Sequence, residues 1–303
     1  GWDIADAGGT GTVWRIYEGH TGPLLRSFLK QATVTAQTSG ITGKTYDGTA
    51  ASGNVTYTTP VATLDGSLRY TTNSKNAGSY STADGSLKFT GLYSDQQGYD
   101  ISYVSNPATL TIGRAALTVT GMTANNKTYD GSTVATLSGG SLDGVIGLED
   151  VTFSGQSGAF ADKNAGTGKA VTVSGITLGG TDAANYTVTQ PTGLTADISA
   201  KALTVTGMTA NNKTYDGGTV ATLSGGILSG VISSDSVTLG SSTGTFADKN
   251  VGTGKAVTAS GITLDGTDAG NYTVTQPTGL TADISAKALT VTGMTANNKT
   301  YDG

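Results

Sequence analysis

The chain contains no cysteine and only one histidine, His20, among its 303 residues. Without cysteine it has neither disulfide bonds nor a thiol nucleophile. A Ser/His/Asp arrangement needs an imidazole, and His20 lies outside the repeated part of the chain, so hydrolysis by that route is disfavoured. We expect His20 to be a solvated turn residue, and we predict no catalytic residues and no enzymatic activity.

Charge and long apolar runs are also scarce. Charged residues make up 13% of the chain, the net charge is −5, and the lysines are spread singly along the sequence. Nucleic acids are bound by clustered lysine and arginine, so we expect no nucleic-acid partner. No run approaches the roughly 18 consecutive apolar residues of a membrane span, so we expect no membrane insertion in this segment.

The chain does contain a close internal repeat. Residues 116–201 recur as residues 202–287 with 17 of 86 positions changed and no insertion, and residues 288–303 begin the same segment again. Twelve of the changes fall within 141–159. Two such similar segments must share one fold, so we predict that 141–159 is the exposed, adaptable part of each repeat.

These boundaries divide the chain into five segments. We predict a cap or the end of a preceding repeat region at 1–29, which holds Trp2 and Trp14, and a diverged unit at 30–115. Residues 116–201 and 202–287 form the first and second long repeats, and residues 288–303 begin a further unit. Because the chain starts at Gly1 without methionine and stops early in a unit, we expect it to be part of a longer protein.

Alternation with a period of two predicts strands and almost no helix in the long repeats. Leu117 and Val119 are predicted to face the core, Asp130-Gly131 to form a two-residue hairpin turn, and Gly175 to form a β-bulge. Only residues 199–202 connect the predicted last strand of one repeat to the first strand of the next, which indicates a semi-rigid connection. The fold class is therefore predicted as all-β, a tandem array of small β-sandwich-like or β-grasp-like modules of about 86 residues.

A Lys-Thr-Tyr-Asp-Gly motif recurs near the start of each unit from residue 30 onward, at 44–48, 127–131, 213–217 and 299–303. We interpret it as a structural turn in which the tyrosine ring covers the core edge and donates its hydroxyl to a backbone carbonyl, while the aspartate accepts hydrogen bonds from turn amides. The predicted turn residues are Tyr46, Asp47, Gly48, Tyr129, Asp130, Gly131, Tyr215, Asp216 and Gly217.

This motif, with a Leu-Thr-Val strand before it and a later Asn185-Tyr186 or Asn271-Tyr272, resembles the YDG-type repeats of large secreted bacterial proteins. Residues 30–115 look like the related MBG type, and residues 1–29 resemble the segment that follows GLUG-type repeats in filamentous-haemagglutinin-like adhesins. The resemblance implies export by a Gram-negative bacterium, often by two-partner secretion, an extracellular or cell-surface location, and a structural role in attachment, aggregation or biofilm.

Other chemistry receives little support from the residues. Glu149-Asp150 becomes Asp235-Ser236 in the second long repeat, which is typical of a solvated loop rather than of a catalytic pair. Asp182 and Asn185 offer too few oxygens for calcium, so we predict no metal and no cofactor. An amide crosslink between Lys127 and Asn185 is a minor alternative.

Three functions stay open at this point. We favour stalk or spacer repeats of a surface adhesin, whose partners are neighbouring modules or like chains and whose host or matrix ligand is unknown. The first alternative is a self-assembling extracellular filament or sheath. The second is a glycan-binding module that uses the tyrosine-rich diverged unit, through Tyr57, Tyr70, Tyr80, Tyr93 and Tyr103.

Overall fold

The computed structural model describes residues 4–5, 13–17, 19–61, 64–94, 98–105 and 107–303. Trp2 of the predicted cap lies outside these residues. The elements before the long repeats are β1 Ile4–Ala5, β2 Trp14–Arg15, β3 Leu24–Leu25, the 3-10 turn η1 Arg26–Phe28, β4 Lys30–Ala36, η2 Thr38–Gly40, β5 Lys44–Thr45, β6 Ser52–Asn54, β7 Tyr57–Thr58, β8 Asp65–Thr72, β9 Gly78–Ser81, β10 Leu87–Tyr93, β11 Tyr99–Ser105 and β12 Thr109–Gly113.

Each long repeat has ten strands and one 3-10 turn. In the first they are β13 Ala115–Ala124, β14 Lys127–Thr128, β15 Val134–Ala135, β16 Leu137–Asp143, β17 Thr152–Ser154, β18 Ser157–Phe160, β19 Gly166–Ser174, β20 Thr177–Gly179, η3 Ala183–Asn185, β21 Tyr186–Thr189 and β22 Leu194–Ser199. In the second they are β23 Lys201–Ala210, β24 Lys213–Thr214, β25 Val220–Ala221, β26 Leu223–Ser229, β27 Thr238–Leu239, β28 Thr243–Phe246, β29 Gly252–Ser260, β30 Leu264–Asp265, η4 Ala269–Asn271, β31 Tyr272–Thr275 and β32 Leu280–Ser285.

The all-β prediction is confirmed, and the alternating pattern explains the first strand of each repeat. Leu117 and Val119 of β13 are buried, whereas Thr118 and Thr120 are exposed. Successive side chains of a strand point to opposite faces, so one apolar face is enough to fix which side packs inward. The last strand of the first long repeat, β22, is separated from β23 by Ala200 alone.

The second long repeat combines three sheets, with strand orders β26-β23-β31, β24-β32-β29-β28-β25 and β27-β30. In the first sheet β23 pairs parallel with β31 and antiparallel with β26. The first long repeat has the same orders, namely β16-β13-β21, β14-β22-β19-β18-β15 and β17-β20.

Two local predictions, the hairpin at Asp130-Gly131 and the β-bulge at Gly175, differ from the strand pairing that the structure shows. Strands β14 and β15 lie at opposite ends of the strand order of the five-stranded sheet although residues 129–133 alone separate them, so the sheet is barrel-like and Asp130-Gly131 does not join a hairpin of paired neighbours. The predicted bulge at Gly175 is also wrong: Gly175 lies between β19 and β20, and the register shift falls between Gly166 and Lys169. A backbone that turns through a glycine with φ of +77° produces the same sequence signal as a bulge.

The chain folds into two compact units whose limits fall inside the first long repeat. The first unit contains Gly1–Met122, Gly139–Ser157 and Val173–Pro191, and the second contains Thr123–Ser138, Gly158–Thr172 and Thr192–Gly303. The sequence repeat and the compact unit are therefore different divisions of the same chain.

The core of the first unit draws on both the diverged unit and the first long repeat. Buried side chains of the diverged unit, among them Leu68 and Ile112, belong to the same cluster as Leu117 and Tyr186. Further aliphatic side chains of the first long repeat pack against it: Leu142, Val145, Ile146, Val151 and Leu178.

The second unit repeats this sharing. One cluster combines buried residues of the first long repeat, such as Phe160 and Ile198, with Leu203 and Tyr272 of the second. Aliphatic residues of the second long repeat pack against it: Leu228, Val231, Ile232, Val237 and Leu264. In both units, then, a hydrophobic core includes residues from two successive sequence repeats.

Candidate functional site at the repeat junctions

The Lys-Thr-Tyr-Asp-Gly motif forms a compact turn stabilised by its own charges. In the first long repeat, Lys127 Nζ lies 2.8 Å from Asp130 Oδ1, and that oxygen also accepts the Ser132 backbone N–H at 2.9 Å. Gly131 has φ of +78°, a conformation that side-chain-bearing residues disfavour. The aspartate thus holds both the lysine and the amide two residues on, which fixes the loop around the glycine.

The copies of the turn in the diverged unit and in the second long repeat have the same geometry. Asp47 Oδ1 lies 2.6 Å from Lys44 Nζ and accepts the Thr49 N–H at 3.0 Å. Asp216 Oδ1 lies 2.9 Å from Lys213 Nζ, and it accepts the Gly218 N–H at 2.9 Å. Gly48 and Gly217 have φ of +79° and +81°.

The lysine lowers the pKa of each of these turn carboxyl groups. Hydrogen bonds from Lys44 and Thr49 lower the pKa of Asp47 to about 2. Lys213 and the Gly218 amide lower the pKa of Asp216. At Asp130, desolvation raises the pKa, but the hydrogen bonds from Lys127 and Ser132 outweigh it and the pKa is lowered. All three are ionised acceptors at neutral pH.

A hydrogen bond from its backbone N–H fixes the position of each motif tyrosine. Tyr129 donates its N–H to Ser199 O at 2.8 Å, Tyr215 donates to Ser285 O at 2.8 Å, and Tyr46 donates to Gly113 O at 2.7 Å. Each bond ties the motif to the last strand of its own unit, so the ring projects from the end of that unit.

The tyrosine hydroxyl reaches the following repeat. Tyr129 donates to Asp235 Oδ2 at 2.7 Å, so the predicted backbone-carbonyl acceptor is wrong. The same oxygen accepts the hydroxyl of Tyr272 at 2.7 Å, and Lys163 Nζ lies 2.9 Å from Asp235 Oδ1. The two tyrosine rings meet edge to face with centroids 5.3 Å apart. One carboxylate of the second long repeat is therefore held by two donors of the first and one of its own.

A second contact lies beside this carboxylate. Asn271, which is buried, accepts the Ala165 backbone N–H through Oδ1 at 2.8 Å and donates through Nδ2 to Asn164 Oδ1 at 3.3 Å. Lys163 Nζ also lies 3.4 Å from Asp268 Oδ1. We call the group of Tyr129, Lys163, Asp235, Asn271 and Tyr272 the second junction.

The first junction joins the diverged unit to the first long repeat and consists of Tyr46, Lys75, Glu149, Asn185 and Tyr186. Tyr46 and Lys75 both donate to Glu149 Oε1, the lysine at 2.9 Å, while Tyr186 donates to Oε2 at 2.6 Å. Asn185 Oδ1 accepts the Ala77 N–H at 2.8 Å, and the two rings meet edge to face at 5.5 Å. The same types of residue meet here, with glutamate in place of aspartate and with the two tyrosines on different carboxylate oxygens.

The pKa values describe a charged acceptor surrounded by donors. Hydrogen bonds from Tyr186 and Tyr46 lower the pKa of Glu149 to about 2. Desolvation raises the pKa of Asp235, but hydrogen bonds from Tyr272, Lys163 and Tyr129 outweigh it and lower the pKa to about 2. Burial and the neighbouring carboxylates raise the pKa of Tyr46 and of Tyr272 to about 12. At neutral pH the acids are ionised and the phenols are neutral, which suits binding rather than proton transfer.

The interpretation of Glu149 and Asp235 as solvated loop residues is therefore wrong. The Asp235 side chain is fully buried, and Glu149 is largely covered. Most other differing positions of 141–159 are exposed, as predicted, so the acid is an exception within that segment. Two sequence signals were available: an acid is kept at this position in both repeats, and Lys-Asn recurs at Lys75-Asn76, Lys163-Asn164 and Lys249-Asn250.

The remaining candidates are occupied in other ways. Lys127 Nζ binds its own turn, and Asn185 accepts the Ala77 amide, which gives no support to an amide crosslink between them. Asp182 accepts the Asp150 N–H at 3.0 Å. Within the described residues, no group of three or more histidine, cysteine, aspartate or glutamate side chains is placed to hold a metal ion.

The aromatic residues of the diverged unit face inward to different degrees. Tyr70 and Tyr80 are buried, and Tyr57, Tyr93 and Tyr103 are half-buried. His20 stacks on Tyr93 with centroids 4.0 Å apart. A flat glycan platform needs several open rings on one face, and these five do not offer it.

Comparison with known sequences identifies the repeated part. Residues 113–193 and 199–279 each match the sequence profile of the YDG domain. No curated protein and no solved structure matches the chain. Over the residues that the structure describes, no helix is both long enough and apolar enough to cross a membrane.

Proposed function

Because the chain belongs to the YDG domain family, we propose that its repeats are the stalk of a secreted, cell-surface adhesin of a Gram-negative bacterium. Their task is to hold a distance between the cell and a binding part of the same protein during attachment, aggregation or biofilm formation. The repeats themselves carry no reaction in this proposal. Their partners are neighbouring repeats and like chains.

The observation that carries the proposal is the shared core at each junction. Leu203 is fully buried in a cluster that also contains Phe160 and Ile198 of the preceding repeat. The charged group of the same junction, Asp235, accepts hydrogen bonds from both repeats. Two repeats that share apolar core and a buried carboxylate do not separate without exposing both, so their relative orientation is strongly restricted.

The short connection gives independent support. Only Ala200 separates β22 from β23, and no glycine-rich or proline-rich linker is present there. Flexible linkers allow domains to move independently. A single residue between two strands, each of which is paired within its own sheet, does not. A series of such connections transmits force and keeps length, which is what a stalk requires.

The length of the protein as a function of repeat number tests this proposal. Chains with one, two and three added copies of residues 202–287 should increase in maximum dimension by the same increment, about 33 Å if ten-residue strands such as β13 and β23 run along the axis. Small-angle X-ray scattering measures the increment. A control with a Gly-Ser linker inserted after Ala200 should lose the regular increase. Equal scattering from the two series contradicts a rigid spacer.

Location has its own test. Intact cells of the producing bacterium should lose the repeats when treated with an external protease, while a cytoplasmic marker stays intact. Repeats that are cut only after cell lysis contradict the surface location.

A further inference from the structure

The second long repeat ends in the same set of donors that forms the second junction, but here they are uncovered. Tyr215 and Lys249 correspond to Tyr129 and Lys163, and the Val251 amide corresponds to that of Ala165. Tyr129 is buried, whereas Tyr215 is half-buried and Lys249 is exposed. Among the described residues, none accepts a hydrogen bond from the Tyr215 hydroxyl or forms an ion pair with Lys249. We call this surface the donor face.

An apolar cluster lies behind the donor face. It contains residues equivalent to those that share a core with Leu203 and Tyr272 in the second junction: Ala221, Phe246, Val257, Ala282 and Ile284. Within the described residues, this cluster of the second long repeat contains no residue of a following repeat. Val251, the counterpart of the half-buried Ala165, is exposed here.

The donor face is already formed. The turn that positions Tyr215 has the same ion pair, Lys213 to Asp216 at 2.9 Å, and the same backbone bond, Tyr215 N–H to Ser285 O at 2.8 Å, as the turn of the occupied junction. A preorganised surface loses little conformational entropy on binding. The donor side chains of the second junction are thus present here without the carboxylate and amide that accept from them there.

The chemistry of the surface defines its partner. A phenol hydroxyl, an ammonium group and a backbone N–H all donate, so the partner has to supply a carboxylate and an amide oxygen. We infer that the donor face binds the acceptor end of a further YDG repeat, one that has an aspartate at the position of Asp235 and an Asn-Tyr pair at the position of Asn271-Tyr272.

Aspartate is favoured over glutamate because of the donors that surround it. Asp248-Lys249-Asn250 matches Asp162-Lys163-Asn164, whose junction holds an aspartate with both tyrosines on one oxygen. The diverged unit has Ser74-Lys75-Asn76 instead, and its junction holds a glutamate with the tyrosines on different oxygens. The Val251 side chain replaces that of Ala165, but the bond uses the backbone.

A second copy of this chain does not fit as the partner. Its two described acceptor ends are occupied: Glu149 accepts from Tyr46 and Lys75, and Asp235 accepts from Tyr129 and Lys163. A repeat with a free acceptor end is required, and the stalk function proposed above, on which this inference rests, supplies one whenever another YDG repeat follows.

Hydrogen exchange of the Val251 amide tests the inference. In a chain extended by another copy of residues 202–287 after Lys287, this amide should exchange at least about 10-fold more slowly than in the original chain, because it acquires a buried acceptor. The Ala165 amide, already bonded to Asn271, is the internal control and should be equally protected in both chains. Unchanged exchange at Val251 overturns the inference. Slowing that grows with the concentration of the original chain assigns the face to a second copy and overturns it as well.

A matched pair of variants separates docking from folding of the repeat. Tyr215→Phe should lower the Tm of the extended chain and leave that of the original chain unchanged, because only the extended chain offers the hydroxyl a carboxylate. Equal effects in the two chains contradict the inference. Regular lengthening with an unprotected Val251 amide defeats this inference alone, whereas a protected amide without regular lengthening defeats the stalk function alone.

Discussion

The Tyr129 hydroxyl donates to the buried carboxylate of Asp235. Removing this one oxygen atom therefore measures what the hydrogen bond contributes to stability. Tyr129→Phe keeps the ring and removes the bond to Asp235. Hydrogen bonds to charged groups contribute about 1.5–3 kcal/mol, so the free energy of unfolding should fall by about that amount. Urea denaturation measures it. Tyr215→Phe in the same chain is the control and should have little effect; a similar loss in both variants would show that the ring's surroundings, not the junction bond, respond.

The junction acids also predict how stability depends on pH. Their folded pKa values are about 2, below the ordinary values of 4.5 for Glu149 and 3.8 for Asp235, so the stabilisation is complete above about pH 4.5 and is lost as the pH falls toward 2. The tyrosines act in the opposite direction. With pKa values raised from 10.0 to about 12, Tyr46 and Tyr272 keep their stabilisation below pH 10 and lose it between pH 10 and 12.

Thermal melting across this pH range checks the profile. The wild-type Tm should have a plateau between about pH 4.5 and 10. Asp235→Asn, which cannot ionise, should lie below the wild type on the plateau and approach it near pH 2. Parallel curves at all pH values would exclude Asp235 as a source of the acid dependence.

At the scale of the element, the turn glycines Gly131 and Gly217 offer a pair of variants that differ in what their side chains would contact beyond the turn. Gly131 and Gly217 have φ of +78° and +81°, so alanine at either position costs about 1–2 kcal/mol in backbone strain. A Cβ at Gly131 would also lie 3.3 Å from Ile232 Cγ2 of the following repeat, whereas nothing lies within 4 Å at Gly217. Gly131→Ala should therefore be the more destabilising variant in chemical denaturation. The reverse order would mean that Ile232 does not pack on the turn.

The first strand of a repeat needs its partners to form. Residues 288–303 repeat the sequence of β13 and its turn, yet they contain no strand, and Leu289 and Val291 are exposed. The equivalent Leu203 is fully buried, and its strand β23 pairs with both β26 and β31. Apolar strand-forming segments without partners tend to pair with other chains. Deleting 288–303 should lower association measured by light scattering. Association that persists unchanged would show that this segment does not join the chains, and any filament would then have to form through lateral contacts.

Local patterns in the sequence were sufficient to predict individual strands but not which strands and side chains they contact. Alternation in Leu117-Thr118-Val119-Thr120 identifies a strand and its buried face, because both depend on neighbours in the sequence. The barrel-like sheet could not be predicted, because the sequence of β14 and β15 has the pattern of a hairpin although these strands pair with β22 and β18. The junctions were missed for a related reason: Glu149 lies 103 residues from Tyr46, and no local pattern reports that distance.

At the scale of the whole molecule, a core shared by two repeats couples their stabilities. Leu203→Ala removes a fully buried side chain from the cluster that also contains Phe160 and Val171, and the expected loss is about 2–5 kcal/mol. Hydrogen exchange should accelerate in β18 and β19 of the first long repeat as well as in the second. Acceleration confined to 202–287 would show that the repeats unfold independently.

Because the first long repeat supplies hydrogen-bond donors to the repeat that follows it and an acceptor to the diverged unit that precedes it, the array has a consequence for how its gene can change. Duplication or loss of one copy of residues 202–287 keeps donors of the Asp-Lys-Asn type matched to an aspartate, so copy number can vary between strains without a new interface having to evolve. A recombination break at any other spacing places Tyr129 and Lys163 opposite unrelated residues and leaves a carboxylate such as Asp235 without its partners. Selection is therefore expected to tolerate length polymorphism in whole periods and to remove fractional ones.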